Sequence, residues 1–257
     1  MTVNWPPLDV HAHIDPSIDA NTLLNLRAVI FAANRSIEES AQALERRPHD
    51  LLAVWGAGVH PGLKSALENY SPSAFAALLE RTPYVGEVGL DANVKSRLPL
   101  QREVLSSILQ QLQTRPRITS IHSYGATNEV LDQLTETPIL GAVLHWWLGD
   151  RNATLRAIEL GAYFSINASS VRRSETLDVI PLERLLLETD HPDGNRYGRG
   201  PRQPGNIADV ETALAARYGI TTQAIRERAW RNLAKLVEAT ATLDMLPSRV
   251  RGIVRSA

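Results

Sequence analysis

The chain has 257 residues, of which 44% are hydrophobic and 21% are charged, and this composition excludes a disordered or collagen-like protein. Lys and Arg number 27 against 28 Asp and Glu, so the formal net charge is −1 and nucleic acid could bind only to a local basic patch. The absence of cysteine excludes disulfides, thiolate metal ligands and a cysteine nucleophile.

The amino-terminal stretch MTVNWPPLDVHAHIDP lacks the charged and apolar regions of a secretory signal. No window approaches the 18 uninterrupted apolar residues of a membrane-spanning helix. We therefore expect a cytoplasmic protein that does not bind membranes.

Short apolar runs rich in β-branched residues alternate with segments of helical period along the whole chain. We predict eight strands, at residues 8–13, 28–32, 52–59, 84–90, 118–122, 139–145, 162–166 and 185–188. The connecting helices include 36–46, which begins with a capping box, and 101–113, which has an apolar face. Two closing helices are predicted at 207–218 and 222–239.

Strands that are apolar on both faces and joined by helices indicate a parallel sheet covered on both sides. Eight such repeats in this length predict the α/β class and a closed (β/α)₈ TIM barrel of the amidohydrolase-like type. An open doubly wound sheet is the alternative, but the first strand runs into His11 without a glycine-rich phosphate turn. We expect a single domain over 1–257, with a basic tail at about 241–257 that frays.

Imidazoles and carboxylates stand at the downstream ends of several predicted strands, where a parallel barrel brings all strand ends to one face. These residues are His11, His13, Glu87, His122, His145 and Asp190. Any single histidine here is more often a hydrogen-bonded structural residue, and a buried glutamate can be a satisfied core carboxylate. The coincidence of all six on one face predicts a metal site.

The residue types also suggest which chemistry the site supports. Imidazole and carboxylate ligands suit Zn, Mn, Fe or Ni, whereas Mg prefers oxygen ligands. His11 and His13 stand two positions apart on one strand and therefore point to the same face. Glu87 could bridge two ions about 3.5–4 Å apart. Such a pair lowers the pKa of a bound water, so we expect hydrolysis by a metal-bound hydroxide.

Several further residues have both a functional and a structural interpretation. His60, in GVHP, is either a substrate contact or a turn residue, and His191 either contacts the leaving group or is a loop residue. We expect His49 to lie on the surface of the opposite face. Arginines on loops at the same face as the cluster could meet phosphates, although such loops are often merely solvated: Arg172, Arg173, Arg196, Arg199 and Arg202.

Over residues 9 to about 237 the sequence resembles the TatD family of metal-dependent hydrolases. The stretches that carry the resemblance occur in the family's order: DVHAHID from Asp9, GVHP from Gly58, GEVGLD from Gly86, IHS from Ile121, LH at Leu144 and ETDHP from Glu188. Gln101, Arg202, Pro204 and the stretch from Asn232 also resemble family landmarks.

The resemblance implies a two-metal phosphodiesterase, most often a deoxyribonuclease that acts on DNA ends as an exonuclease, with two divalent ions (Zn, Mn or Mg). The implied roles are one ion on His11, His13 and Asp190, the other on His122 and His145, Glu87 as the bridge, and Asp190 as the residue that orients or deprotonates water. Glu87 and Asp190 are thus the implied catalytic residues.

This sequence departs from the family where substrate would bind. Tyr124 stands where an arginine is usual, Trp146 and Trp147 where Cys-Phe is commoner, and Asp193 follows the last motif in place of an aromatic residue. The predicted substrate contacts are His60, Tyr124, Trp146, His191 and Arg202. Two alternatives therefore stay open: hydrolysis of a small ester, amide or phosphodiester, and a subunit with protein partners in a nucleic-acid-processing or defence assembly.

Overall fold

The computed structural model describes residues 5–46, 50–172, 174–196 and 198–257, so the predictions for His49 and Arg173 lie outside the described residues. The predicted parallel strands are all found within these ranges. They are β1 (Leu8–Ala12), β2 (Val29–Ala32), β3 (Ala53–Trp55), β4 (Tyr84–Gly89), β5 (Ile118–His122), β6 (Ala142–Leu144), β7 (Tyr163–Ile166) and β8 (Leu185–Leu187).

Helices connect successive strands, as the alternating sequence pattern predicts. They are α1 (Ala20–Asn25), α2 (Ile37–Glu45), α3 (Lys64–Glu68), α4 (Pro72–Leu79), α5 (Leu98–Thr114), α6 (Thr127–Glu136), α7 (Arg151–Glu159), α8 (Ser174–Leu177), α9 (Ala208–Tyr218), α10 (Thr222–Ala239) and α11 (Ser248–Val254). Ser36 caps α2 by accepting a hydrogen bond from the backbone N–H of Glu39 at 3.1 Å.

The strands form two parallel sheets, β1 to β3 and β4 to β8, in sequence order. Backbone hydrogen bonds join the two sheets at both places where they meet, between β3 and β4 and between β8 and β1. The N–H of Ala57 donates to Tyr84 O at 3.0 Å beside β4, and the N–H of Asp190 donates to His11 O at 2.8 Å between β8 and β1. The strands therefore surround one interior, which confirms the (β/α)₈ barrel and excludes the open sheet.

The core lies within and around this ring of strands. β1, β2 and β4 are buried along their whole length, as expected of strands covered on both faces. Helix α10 anchors β8 through the buried amide of Asn232, which donates to Leu182 O at 2.9 Å and Leu185 O at 2.8 Å. This packing positions the carboxyl ends of the strands.

Two segments differ from the sequence-based expectation. β3 ends at Trp55, earlier than predicted, although Ala57 still forms a bridge to Val85 and the Val59 N–H still donates to Glu87 O at 2.8 Å. The expected frayed tail instead contains α11, whose Val250 is fully buried and which packs against α10. The hydrophobic side chains between its arginines hold it in place. Among the described helices, none is both long and apolar enough to cross a membrane.

Candidate metal centre

The six residues predicted as a cluster meet at the carboxyl end of the barrel, around Glu87 of β4. Glu87 Oε1 lies 2.6 Å from both His122 Nδ1 and His145 Nε2. Its other oxygen, Oε2, lies 3.1 Å from His13 Nε2 and 3.9 Å from His11 Nε2.

Asp190 completes the group, with Oδ1 3.6 Å from His11 Nε2 and 3.8 Å from His13 Nε2. Five strands thus contribute to one cluster, which we call the strand-end cluster. Its members are His11, His13, Glu87, His122, His145 and Asp190.

The arrangement fits a cation. His11 Nε2 and Glu87 Oε2 are both buried and neither has a hydrogen-bond partner, although such atoms are nearly always satisfied in proteins. Within the described residues, three sets of donor atoms could each hold a metal ion. They are His11, His145 and Asp190; His11, His13 and Glu87; and His60, Glu87 and His122.

Neighbouring polar groups orient the first two histidines. His11 Nδ1 lies 2.6 Å from the hydroxyl of Ser120, and His13 Nδ1 lies 3.0 Å from Ala33 O. In each ring the Nδ1 atom is therefore engaged, and Nε2 is directed into the cluster. Such contacts fix both the ring orientation and the tautomer of metal-binding histidines.

Asp91 does the same for His122, a role that sequence analysis missed. Asp91 Oδ2 lies 3.4 Å from His122 Nε2, so Nδ1 of that ring faces Glu87. Gln101 holds the Asp91 peptide, because its side chain accepts from Asp91 N at 2.7 Å and donates to Asp91 O at 3.1 Å. The signal in the sequence is an acidic residue four positions past Glu87, at the end of β4.

Glu188 supports the His145 side of the cluster and was also missed. This buried carboxylate accepts hydrogen bonds from Asn167 Nδ2 at 3.0 Å, from Trp146 N at 2.9 Å and from the hydroxyl of Ser165. Its Oε1 lies 3.9 Å from His145 Nδ1. Glu188 therefore joins β7, β8 and the residues after β6 beside a candidate ligand.

Asp9 ties the strand-end cluster to the long loop after β8. Its carboxylate accepts from the Thr189 N–H at 2.8 Å, the Thr189 hydroxyl at 2.6 Å and the Gly205 N–H at 2.8 Å. Burial raises the pKa of Asp9 to about 6 despite these bonds. The residue connects three segments that are distant in the sequence.

Burial and the imidazoles set the electrostatics of the centre. Burial opposes ionisation of Glu87, but the surrounding rings of His60, His145 and His122 hold its pKa well below the usual range. Burial and the neighbouring His145 lower the pKa of His11. Burial raises the pKa of Asp190 to about 7.

His60 enters the same centre with Nε2 3.2 Å from Glu87 Oε2. The N–H of Gly62 donates to His60 Nδ1 at 2.9 Å, so the proton of the neutral ring sits on Nε2. Burial lowers the pKa of His60 and favours this neutral form. Through Nδ1 the side chain holds the turn at Gly62, and through Nε2 it faces Glu87, so its role as a substrate contact stays a prediction.

A cavity of about 310 Å³ opens above the strand-end cluster. His60, Tyr124, Trp146 and Arg196 line it, together with Asp91, Asn93, Ser123, Leu148 and Asp193. Three of the predicted substrate contacts therefore face this cavity.

Two others lie elsewhere among the described residues. His191 Nδ1 faces the Asn195 amide at 3.3 Å, and Arg202 donates to Pro192 O at 2.8 Å, so their substrate roles stay predictions. Arg172 and Arg199 line a separate groove.

Comparison with known proteins agrees with this geometry. The sequence model of the family described as TatD related DNase matches residues 8–238. The "3'-5' ssDNA/RNA exonuclease TatD" of Klebsiella pneumoniae is 33% identical over 222 residues, covering 78% of this chain and 83% of that protein. The human "Deoxyribonuclease TATDN3" is 27% identical over 181 residues, covering 66% of this chain and 62% of the human protein.

The solved structures agree in fold. The TatD homologue YJJV of Escherichia coli superposes with a TM-score of 0.77 at 24% identity, covering 89% of this chain and 96% of the other. The chain therefore belongs to the TatD-related DNase family, which confirms the resemblance predicted from its motifs.

Proposed function

We propose that this protein is a divalent-metal-dependent deoxyribonuclease that hydrolyses phosphodiester bonds at DNA ends. The observation that carries the proposal is Glu87, a buried carboxylate whose two oxygens face two different groups of imidazoles. The family to which the chain belongs and the names of its relatives support a nucleic-acid substrate. The cytoplasmic location and the protein partners stay sequence-based predictions.

The partition of the donors supports two ions with Glu87 between them. One ion would be held on the Oε2 side by His11, His13 and Asp190, and the other on the Oε1 side by His122 and His145. When bound, such ions act as Lewis acids that polarise phosphate oxygens and make water more acidic. Zn, Mn and Mg are the candidates.

The protein's own groups supply positioning and proton transfer. Asp190 lines the cavity with Oδ1 3.6 Å from His11 Nε2, and there it orients the attacking water or accepts its proton. His60 lines the cavity beside Glu87 and is the hydrogen-bond donor for a phosphate oxygen of the substrate. Arg196 contributes positive charge to the same cavity.

The test is degradation of end-labelled single-stranded DNA in the presence of Mn or Mg, comparing the wild type with Asp190→Asn. Asp132→Asn on the exposed face of α6 is the matched control, and we expect it to retain wild-type activity. Asp190→Asn should lower the rate by about 10²- to 10⁴-fold, the range for a group that transfers protons. Equal rates for Asp190→Asn and wild type would refute the proposal.

Two further measurements separate the alternatives. Elemental analysis of chelator-free protein should find two divalent ions per chain, and one ion would refute the bridging role of Glu87. A panel of small esters, lactams and phosphodiesters should be turned over poorly compared with DNA. The opposite ranking would favour the small-molecule hydrolase.

A further inference from the structure

Two adjacent tryptophans occupy different environments above the strand-end cluster. Trp147 is 1% exposed, packs edge-on against Phe164 with ring centres 5.7 Å apart, and donates from Nε1 to the Thr154 hydroxyl at 2.8 Å. Trp146 is half-buried and lines the cavity. The first ring is part of the core, whereas the second is available to a ligand.

The backbone of Trp146 is held in a conformation that a bulky residue rarely adopts. Its φ is +41°, in the left-handed region, and its N–H donates to the buried Glu188 at 2.9 Å. Such conformations persist only where the surrounding structure enforces them, and they concentrate at functional sites. Here the enforced residue directly follows His145, a member of the strand-end cluster.

The cavity lining combines two kinds of side chain. The imidazoles and carboxylates of the strand-end cluster are joined there by Tyr124, Trp146 and Leu148. The Arg196 guanidinium carbon lies 5.9 Å from the centre of the Trp146 ring, within the range of a cation–π contact. Trp146 and the strand-end cluster line the same cavity, so a phosphodiester held at the cluster leaves its neighbouring group within the pocket that Trp146 lines.

We propose that Trp146 is the stacking surface for the nucleobase beside the scissile phosphate, with Arg196 supporting its ring. The proposal rests on the function proposed above and assigns a residue that holds the base next to the cleaved bond. Every base has a π-face, so stacking tolerates sequence. We therefore expect the four bases to be cleaved at rates within a few-fold of one another.

The first experiment compares two single-stranded oligonucleotides that differ only at the cleaved terminal nucleotide, which is normal in one and abasic in the other. Wild type should prefer the normal terminus by about tenfold in kcat/KM, the size of one base–aromatic stack. Trp146→Ala should reduce this preference to near one, while Trp146→Phe should retain most of it. Trp146→Leu keeps apolar bulk without an aromatic ring and serves if the alanine variant folds poorly.

The informative quantity is the ratio between the two substrates, since a merely structural role would lower both rates together. An unchanged ratio in both Trp146→Ala and Trp146→Leu would overturn the proposal.

A binding measurement separates this inference from the proposed function. With Mn present, calorimetry should show that deoxyadenosine 5′-monophosphate binds wild type about tenfold more tightly than 2-deoxyribose 5-phosphate does, with no difference in Trp146→Ala. If wild type fails to cleave DNA but shows this difference, the proposed function is wrong and the stacking site stands. If wild type cleaves DNA but binds both probes equally, the stacking site is wrong and the nuclease stands.

Discussion

The strand-end cluster and the rim of the cavity are built in different ways. Cluster residues lie on or just after strands and are buried except for the partly buried His13 and His122, and partners such as Ser120 and Ala33 O orient their rings. Rim residues stand on connecting segments, where Tyr124 is 47% exposed and Trp146 is half-buried. In barrels of this type, strands hold the catalytic groups and loops vary with the substrate. The difference teaches that this chain places its candidate metal ligands at strand ends and the more exposed side chains of the cavity on connecting segments.

The most severe way to break the cluster is Glu87→Gln, which removes the charge between the two groups of imidazoles. Loss of a residue that only hydrogen-bonds to a metal ligand typically lowers metal affinity or activity about 10- to 100-fold. Glu87 is itself a candidate ligand, so we expect DNA turnover to fall more than about 100-fold. Elemental analysis should show loss of metal in parallel. Glu103→Gln, on an exposed position of α5, is the control. Full metal content and full turnover in Glu87→Gln would contradict the central role of this carboxylate.

Ser120→Ala tests whether orientation of the rings matters. The substitution removes the hydroxyl 2.6 Å from His11 Nδ1 and changes no candidate ligand. We expect metal affinity, measured by competition with a chelator, to fall about 10- to 100-fold. Ser65→Ala, at an exposed position of α3, should have no effect. Unaltered affinity in Ser120→Ala would mean that the Ser120 hydroxyl does not orient His11, whose Nδ1 also lies 3.4 Å from the Tyr84 hydroxyl.

Asp9→Asn tests the connection between the strand-end cluster and the long loop after β8. An amide in place of the carboxylate directs N–H groups at a backbone N–H of Thr189 or Gly205, which leaves a buried donor unpaired. We expect the free energy of unfolding in urea to fall by about 1–3 kcal/mol. The surface substitution Asp132→Asn should change it by less than about 1 kcal/mol. Equal stability of the two variants would argue against Asp9 as a connection.

Tyr124→Arg tests whether DNA passes the rim of the cavity, and its expected effect is the smallest of these predictions. It places at the cavity the arginine that the family resemblance leads one to expect there. The logarithm of the DNA-binding constant falls linearly with the logarithm of the salt concentration. One added phosphate contact should make this slope steeper by about 0.7 for single-stranded DNA. Leu140→Arg adds the same charge at the amino end of β6 and should leave the slope unchanged. Equal slopes in both variants would place DNA away from Tyr124.

The cluster could be predicted from the sequence because its signals are local. An apolar run ending in His11 or His122 marks a strand end, and the barrel brings all such ends to one face. The supporting contacts could not be predicted in this way. Asp9 and Gly205, for example, are separated by 196 residues and nothing in the sequence near either residue indicates the other.

The same division applies to the two tryptophans. Their neighbours in the sequence are nearly identical, yet Trp147 lies in the core and Trp146 faces the cavity. The left-handed backbone at Trp146, held by Glu188 from another strand, decides which ring points where.

The sequence by itself determined the order of strands and helices, the barrel and the six residues of the strand-end cluster, because hydrophobic period and strand-end position are local properties. Only the tertiary structure decided which nitrogen of each ring faces Glu87, which carboxylates support the rings and which of the two tryptophans lines the cavity. Those features depend on hydrogen bonds between segments far apart in the chain, and such pairings exist only once the barrel has closed.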